Sequence, residues 1–186
     1  MRYLKTISTQ SASLLVCLLL LFGVPPAYSM DQVGTENIQA AMHTLSFLES
    51  LSQDGPIVVG VIYSSELPDT QALAEASARL IATMRGPNSR ALQPLVLSTN
   101  ALRQFQGRLD VLWLTIGVCQ DAALIGDSIR LHHLVSISDD PQCVDTQCCV
   151  ITVRTGQRVE ISLNTALADA VGARFSLVFT MVVKRK

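Results

Sequence analysis

Runs of apolar and β-branched residues recur along the chain and predict strands that are buried on both faces. The clearest run is Ile-Val-Val-Gly-Val-Ile-Tyr at residues 57–63. Pro94 interrupts the second run, and this places that strand towards a sheet edge because proline lacks a backbone donor. The four runs lie at residues 57–63, 92–97, 110–116 and 134–138.

Between these runs, apolar residues fall three and four positions apart, which is the spacing of one helical face. We expect Asp69 to cap the second helix and Thr99 or Asn100 to cap the third. Because strands alternate with helices, the pattern indicates βαβ units and a parallel sheet. The predicted helices lie at residues 36–52, 69–84, 99–106 and 121–131.

The last third of the chain departs from this alternation. Residues 149–153 and 158–163 are separated only by Arg-Thr-Gly-Gln, and they predict a β-hairpin whose first strand could run antiparallel to the strand at 134–138. A final helix is predicted from its Asn164 cap to about Val183. The fold class is therefore α/β: a mainly parallel sheet covered by helices on both faces, with a C-terminal hairpin and a closing C-terminal helix.

The first 29 residues have the layout of a secretory signal peptide. Two basic residues precede an apolar run at 14–24. The length of this run falls within the roughly 7–15 residues that are typical of the apolar region of a signal peptide, and it is shorter than the roughly 20 residues that a helix needs to span a bilayer. Small residues at Ala27 and Ser29 place cleavage after about Ser29. We therefore expect a periplasmic protein with a single α/β domain at residues 30–186.

Composition and motifs narrow the classes of function. The chain is 49% hydrophobic and 16% charged, and its formal net charge is −1. This balance disfavours nucleic acid as a partner, because gripping a phosphate backbone requires a basic face. The sequence contains no Gly-rich phosphate loop, no His-Glu-x-x-His and no Gly-x-Ser-x-Gly. It predicts no catalytic residue and no cofactor, and we do not expect an enzyme.

Four cysteines lie beyond the predicted signal peptide, and export would allow them to form disulfides. A vicinal Cys148–Cys149 bridge is strained. The remaining pairings join Cys143 to Cys149 and Cys119 to Cys148, or the reverse. Structural bridges are favoured over a redox switch, and the adjacent pair does not match the usual C-x₂₋₄-C ligand spacing, so no metal site is predicted.

Polar residues follow the predicted parallel strands, where open α/β sheets bind their ligands. They could bind a small polar ligand. The same residue types also turn chains and cap helices, and that explanation is favoured about twofold. The residues at these positions are Ser64, Ser65, Thr99, Asn100, Asp139 and Asp140.

The stretch 134–186 contains a recognisable order of features. A strand ending in Ser138-Asp139 leads through a cysteine-bounded loop into the hairpin, whose second strand continues into Ile-Ser-Leu-Asn at 161–164. Gly-Ala-Arg-Phe-Ser at 172–176 then precedes an apolar stretch and a basic tail. This order resembles the carboxyl-terminal part of the YfiR/HmsC-like family of exported bacterial proteins.

The resemblance implies a non-enzymatic periplasmic regulator that restrains an inner-membrane signalling partner, a diguanylate cyclase, and so limits cyclic-di-GMP signalling and biofilm formation. It also implies a loop disulfide between Cys143 and Cys149, which leaves Cys119 and Cys148 for a second bridge. Homodimer formation stays open. The alternative function is a periplasmic small-ligand-binding domain that resembles one lobe of a substrate-binding protein.

Overall fold

The computed structural model describes residues 34–186, so the predicted signal peptide lies outside the described residues. The helices are α1 (Thr35–Thr44), α2 (Pro68–Thr83), α3 (Thr99–Gln104), α4 (Ala122–Leu131), α5 (Thr165–Ala170) and α6 (Leu177–Val182). The strands are β1 (Ile57–Tyr63), β2 (Leu92–Ser98), β3 (Val111–Leu114), β4 (Val135–Ser138), β5 (Ile151–Arg154), β6 (Glu160–Leu163) and β7 (Lys184–Arg185). Short 3₁₀ helices lie at Leu45–Phe47, Pro87–Ser89 and Val118–Asp121.

The strands form one sheet in the order β2-β1-β3-β4-β5-β6-β7. Strands β1 to β5 are mutually parallel, β6 is antiparallel to β5, and β7 is parallel to β6. The predicted α/β class, with its mainly parallel sheet and C-terminal hairpin, is confirmed. Strand β2, which carries Pro94, lies at the sheet edge, where a missing backbone donor costs no ladder hydrogen bond.

The apolar runs form the core because both faces of the central strands are covered. Every residue of β3 and β4 is buried, including Trp113 at the centre of the sheet. Leu114 has no exposed surface, so its truncation to alanine would cost about 2–5 kcal/mol through lost burial and a residual cavity. The sequence predicts this part of the fold well because continuous hydrophobicity is what a doubly covered strand requires.

The predicted C-terminal helix at 164–183 is broken into α5 and α6. Asn164 caps α5 as predicted, and its side chain accepts a hydrogen bond from Leu167 N at 2.9 Å. Gly172 then adopts a φ of +70°, which ends the first helix. Residues 174–176 instead pair with 47–49, through Glu49 N to Arg174 O at 2.7 Å and Ser176 N to Phe47 O at 2.9 Å.

Helix starts in the first half also differ from the predictions. Helix α2 begins at Pro68, so Asp69 lies in its first turn and Leu67 occupies the N-cap position. Ser98, rather than Thr99 or Asn100, caps α3 by accepting a hydrogen bond from Ala101 N at 3.1 Å. The predicted helix at 36–52 is α1 followed by the 3₁₀ turn at Leu45–Phe47.

Residues 139–150, the crossover segment, connect the parallel strands β4 and β5. The expectation that β5 could lie antiparallel to β4 is wrong, because this segment carries the chain back along the sheet before β5 begins. Val150 N donates to Ser136 O at 3.0 Å at the end of this return. The segment packs closely on α4: a Cβ on Gly126 would lie 3.3 Å from Gln147 O.

Candidate ligand-binding edge and cysteine cluster

The strand order brings the loops that follow β2, β1 and β3 side by side at the carboxyl edge of the sheet. The chain runs from β1 to β2 on one side and then crosses to β3 on the other side of β1. This reversal is a topological switch point, and open α/β sheets bind ligands in the crevice outside it. The loops at residues 64–67, 99–100 and 115–118 surround this point.

Ser65 and Asn100 form an exposed polar pair at this edge. Asn100 Nδ2 donates to Ser65 Oγ at 3.3 Å, and this bond joins the loop after β1 to the start of α3. On the other side of β1, Ile116 is 54% exposed. The edge therefore carries exposed hydrogen-bonding groups on one side of β1 and an exposed apolar side chain on the other, two kinds of group that small-molecule sites combine.

The turn at Gly117 holds the loop after β3 close to the loop after β1. Gly117 has a φ of +86°, and a Cβ there would lie only 2.9 Å from Leu67 Cδ1. A side chain at this position would both strain the backbone and displace Leu67. This close approach holds together the two loops that carry Ile116 and the exposed Glu66.

Ser64 and Thr99 do not contribute to the exposed edge, because both are buried. Ser64 N donates to Thr70 Oγ1 at 3.2 Å, and Thr70 Oγ1 lies 3.0 Å from Ser64 O, so this serine holds the first turn of α2. Ser64 Oγ accepts from Glu66 N at 3.3 Å. Of the predicted ligand residues after β1 and β2, the exposed ones are therefore Ser65 and Asn100.

Asp139 belongs to a second polar cluster, farther along the same edge. Asn37 on α1 links it to the hairpin: Asn37 Nδ2 donates to Asp139 Oδ2 at 3.4 Å, and Asn37 Oδ1 accepts from both Thr155 N and Thr155 Oγ1 at 2.7 Å. Burial raises the pKa of Asp139, and the Asn37 bond partly opposes this shift. Sequence reasoning missed Asn37 and Thr155, which are 118 positions apart.

Asp140 forms the turn that opens the crossover segment. Its Oδ1 accepts from Gln142 N at 3.0 Å, and its backbone oxygen accepts from Cys143 N at 3.0 Å. This is an Asx turn, the structural role that its neighbour Pro141 favours. Asp140 thus positions Cys143 at the start of the cysteine cluster.

Cys119, Cys143 and Cys148 form one buried cluster between the 3₁₀ turn before α4 and the crossover segment. Cys119 lies within disulfide range of both Cys143 and Cys148, with Cα–Cα separations of 5.5 and 6.0 Å. Cys143 Sγ and Cys148 Sγ lie 3.4 Å apart. All three sulfurs lie within 4.8 Å of one another, close enough for three thiolates to hold a soft metal ion.

The bridge between Cys143 and Cys149 does not form, and neither does a bridge between Cys119 and Cys149. The Cys149 thiol faces away from the cluster and donates to Ile151 O at 3.0 Å. Burial raises its pKa far above the usual value, so it stays a protonated thiol. The predicted Cys119–Cys148 bridge is within bonding range in the structure, whereas the predicted bridge of Cys143 to Cys149 is wrong because the orientation of two adjacent cysteines depends on the path of the crossover segment.

Helix α6 presents an apolar surface outside the core. Its side chain Phe179 is buried and stacks on Phe47 and Phe175 at centroid distances of 5.3 and 5.1 Å. The other large side chains are 66–76% exposed and form a surface that we name the α6 patch, composed of Leu177, Val178, Met181 and Val182. Among residues 34–186, no helix has both the length and the hydropathy to cross a membrane.

Neither a protein-family model nor a curated protein matches the chain. Solved structures of similar fold include the ligand-free, open form of CD0873, a substrate-binding protein with adhesive properties from Clostridium difficile. The TM-score is 0.51 at 10% identity, over 70% of this chain and 54% of that one.

Two further neighbours also have 10% identity. The ABC domain from Streptococcus pneumoniae in complex with L-Trp gives a TM-score of 0.56 over 81% of this chain and 59% of that one. A conserved domain protein from Vibrio cholerae gives 0.55 over 82% and 60%. The chain thus spans little more than half the length of these neighbours, and at this identity the likeness shows the α/β fold.

Proposed function

We propose that the chain binds a small zwitterionic metabolite, such as a free amino acid, at the carboxyl edge of β1, β2 and β3. The observation that carries this proposal is the exposed Ser65–Asn100 pair at the switch point, with the exposed Ile116 on the other side of β1. It corresponds to the ligand-binding alternative of the sequence analysis, with a smaller set of residues.

The surroundings of the pair suit a zwitterion. The loop at 64–67 leads directly into α2, a helix of 16 residues whose positive N-terminal end favours a carboxylate. Glu66 on the same loop is exposed and can accept an ammonium group. Ile116 offers apolar contact to a side chain. The L-Trp in the similar domain from Streptococcus pneumoniae supports amino acids as the first class to test.

Thermal unfolding in the presence of each of the 20 common amino acids tests the proposal. A ligand at about 100 times its dissociation constant stabilises the folded protein by about 2.7 kcal/mol, which is a rise of several degrees in Tm. We expect at least one amino acid to produce this rise, and we expect Asn100→Ala to abolish it. Gln104→Ala, a similar truncation at the far end of α3, is the matched control and keeps the rise.

Two results would contradict the proposal. One is a flat response to every amino acid up to millimolar concentration. The other is a rise in Tm that survives Asn100→Ala and Ser65→Ala together, because the ligand would then bind elsewhere on the molecule.

We propose as a second function that the α6 patch docks a membrane-anchored signalling partner, as the YfiR/HmsC-like resemblance implies. Four large, mostly exposed apolar side chains lie together on one short helix, and the largest exposed apolar patch of a monomeric protein is often functional. A diguanylate cyclase of the inner membrane is the partner that this resemblance suggests, and it would require export to the periplasm.

Co-purification from detergent-solubilised membranes tests this second function. Val178→Lys with Met181→Lys should remove the partner without lowering Tm, because both side chains are at least 66% exposed. Val159→Lys is the control, since Val159 is also apolar and 55% exposed but lies on the hairpin. Retention of the same membrane protein by the double variant would exclude the α6 patch.

A further inference from the structure

The buried cysteine cluster contains three sulfurs, and a disulfide uses two. Cys119 is within the Cα–Cα range of roughly 4.4–6.8 Å for disulfides with both other members, at 5.5 Å from Cys143 and 6.0 Å from Cys148. A single sulfur cannot form both bonds at once. One thiol is therefore left beside any disulfide that the cluster forms.

We propose that this cluster is a thiol–disulfide exchange site in which Cys119 alternates between Cys143 and Cys148. The Sγ atoms of Cys143 and Cys148 both lie within 4.8 Å of Cys119 Sγ, so whichever of the two is unpaired is within reach of the sulfur that the proposed step attacks. The proposal concerns reactivity inside the domain and is independent of the ligand edge.

The exchange step balances without an external oxidant or reductant. The Cys143 thiolate attacks Cys119 Sγ, a Cys119–Cys143 bond forms, and the Cys119–Cys148 bond breaks. The electron pair leaves on Cys148 Sγ, which takes up one proton in place of the proton that Cys143 lost. One disulfide and one thiol are present before and after.

The surroundings favour exchange over a fixed bridge. Cys143 and Cys148 both lie on the crossover segment. A change of the Cys119 partner from one to the other therefore requires movement of this loop and not of the sheet. Thr146 Oγ1 donates its one hydrogen to Cys143 O at 2.9 Å and lies 3.5 Å from Cys148 Sγ, so rotation of the hydroxyl would redirect that hydrogen to the leaving thiolate. Gln147 adopts a φ of +60°, a conformation that is uncommon for a residue other than glycine.

Cys149 does not take part, although it follows Cys148 directly. Its thiol is engaged with Ile151 O and faces β5 rather than the cluster. This gives the exchange site a matched control, a neighbouring cysteine that should stay reduced in both forms.

Disulfide mapping tests the proposal on the full chain with Cys17, which lies outside the described residues, replaced by serine. The protein with one disulfide is denatured in acid, its thiols are alkylated, and it is cut with trypsin and then on the amino side of aspartate. Cleavage before Asp145 separates Cys143, in residues 140–144, from Cys148 and Cys149, in residues 145–154.

We expect the Cys119 peptide to be linked to each of these two fragments, at amounts within about tenfold of each other because both Cα separations are normal for a disulfide. Cys149 should be alkylated in both species. The two forms, separated at pH 3 where thiolates are scarce, should return to one ratio at pH 8. Cys143→Ser and Cys148→Ser should each leave a single bridge to Cys119, and Cys149→Ala should leave the ratio unchanged.

Three results would overturn the proposal. A single pairing in every sample, with Cys149 and always the same member of the cluster alkylated, would show a fixed bridge. Separated forms that stay unchanged at pH 8 would show static heterogeneity without exchange. Four alkylated thiols, Cys149 among them, together with one equivalent of bound zinc or copper by elemental analysis would show a metal site instead.

Discussion

Two polar clusters lie at the same carboxyl edge of the sheet, yet the structure uses them differently. The Ser65–Asn100 pair beside β1 and β2 is exposed and makes one side-chain hydrogen bond at 3.3 Å. The Asn37 cluster beside β4 and β5 is partly buried and makes three, two of them at 2.7 Å. Both clusters are built from small polar residues that follow parallel strands or pack against them.

The difference in burial separates polar groups that are accessible to a ligand from polar groups that hold segments of the fold together. The Asn37 cluster lies where a helix, the end of β4 and the hairpin meet. Because its polar groups are partly buried there, they must form hydrogen bonds with one another. In the Ser65–Asn100 pair, water is the competing partner, and a ligand can replace it at little cost. We therefore expect changes in the Asn37 cluster to affect stability and changes in the Ser65–Asn100 pair to affect binding.

Among changes in these two clusters, Asn37→Ala should have the largest effect on stability. The change leaves the Thr155 N–H without its acceptor and removes the bond to Asp139, which together cost about 2–3 kcal/mol of unfolding free energy. Urea denaturation measures this loss. Asn100→Ala is the matched truncation in the exposed pair and should change the free energy by no more than about 0.5 kcal/mol. Equal losses in the two variants would remove the contrast between the clusters.

Thr155→Val should have a smaller effect, because it removes one donor and leaves the backbone bond to Asn37 in place. The lost hydroxyl bond at 2.7 Å is worth about 1 kcal/mol. The same substitution at Thr83, whose hydroxyl bond to Leu80 O is exposed, serves as the control and should be nearly neutral. A Thr155→Val protein as stable as the Thr83→Val protein would show that the cluster contributes little.

Asp139→Asn should raise stability at pH 7, and the gain should shrink as the pH falls. Because burial raises the pKa of Asp139 above 3.8, the folded state binds its proton more tightly than the unfolded state does. Between those two pKa values, the contribution of Asp139 to stability falls as the pH rises. Asparagine carries no such cost. Urea denaturation of both proteins from pH 3.5 to 7 measures the difference, and a gain that grows towards low pH would contradict the stated cause.

The fold was largely predictable from local patterns. The apolar run at residues 57–63 predicts its strand directly, and Pro94 indicates that β2 lies at an edge. The short gap at 154–157 predicts the hairpin. Each of these signals acts within a few residues. They do not depend on the structure of the rest of the chain.

The parts that differed depend on contacts between distant segments. The C-terminal helix breaks where residues 174–176 pair with 47–49, and no local signal stronger than Gly172 marks that break. The Asn37–Thr155 bonds join α1 to the hairpin. The orientation of Cys148 and Cys149 depends on the path of the crossover segment over α4, which the sequence does not reveal.

Amide chemical-shift mapping of the ¹⁵N-labelled protein, titrated with the amino acid that raises Tm most, tests the central claim most directly. We predict shifts concentrated in residues 64–67, 99–101 and 115–118, with little change at Asn37 and Thr155 and none in the Asn100→Ala protein. Shifts confined to the hairpin or to the α6 patch would contradict a binding site at this edge of the sheet.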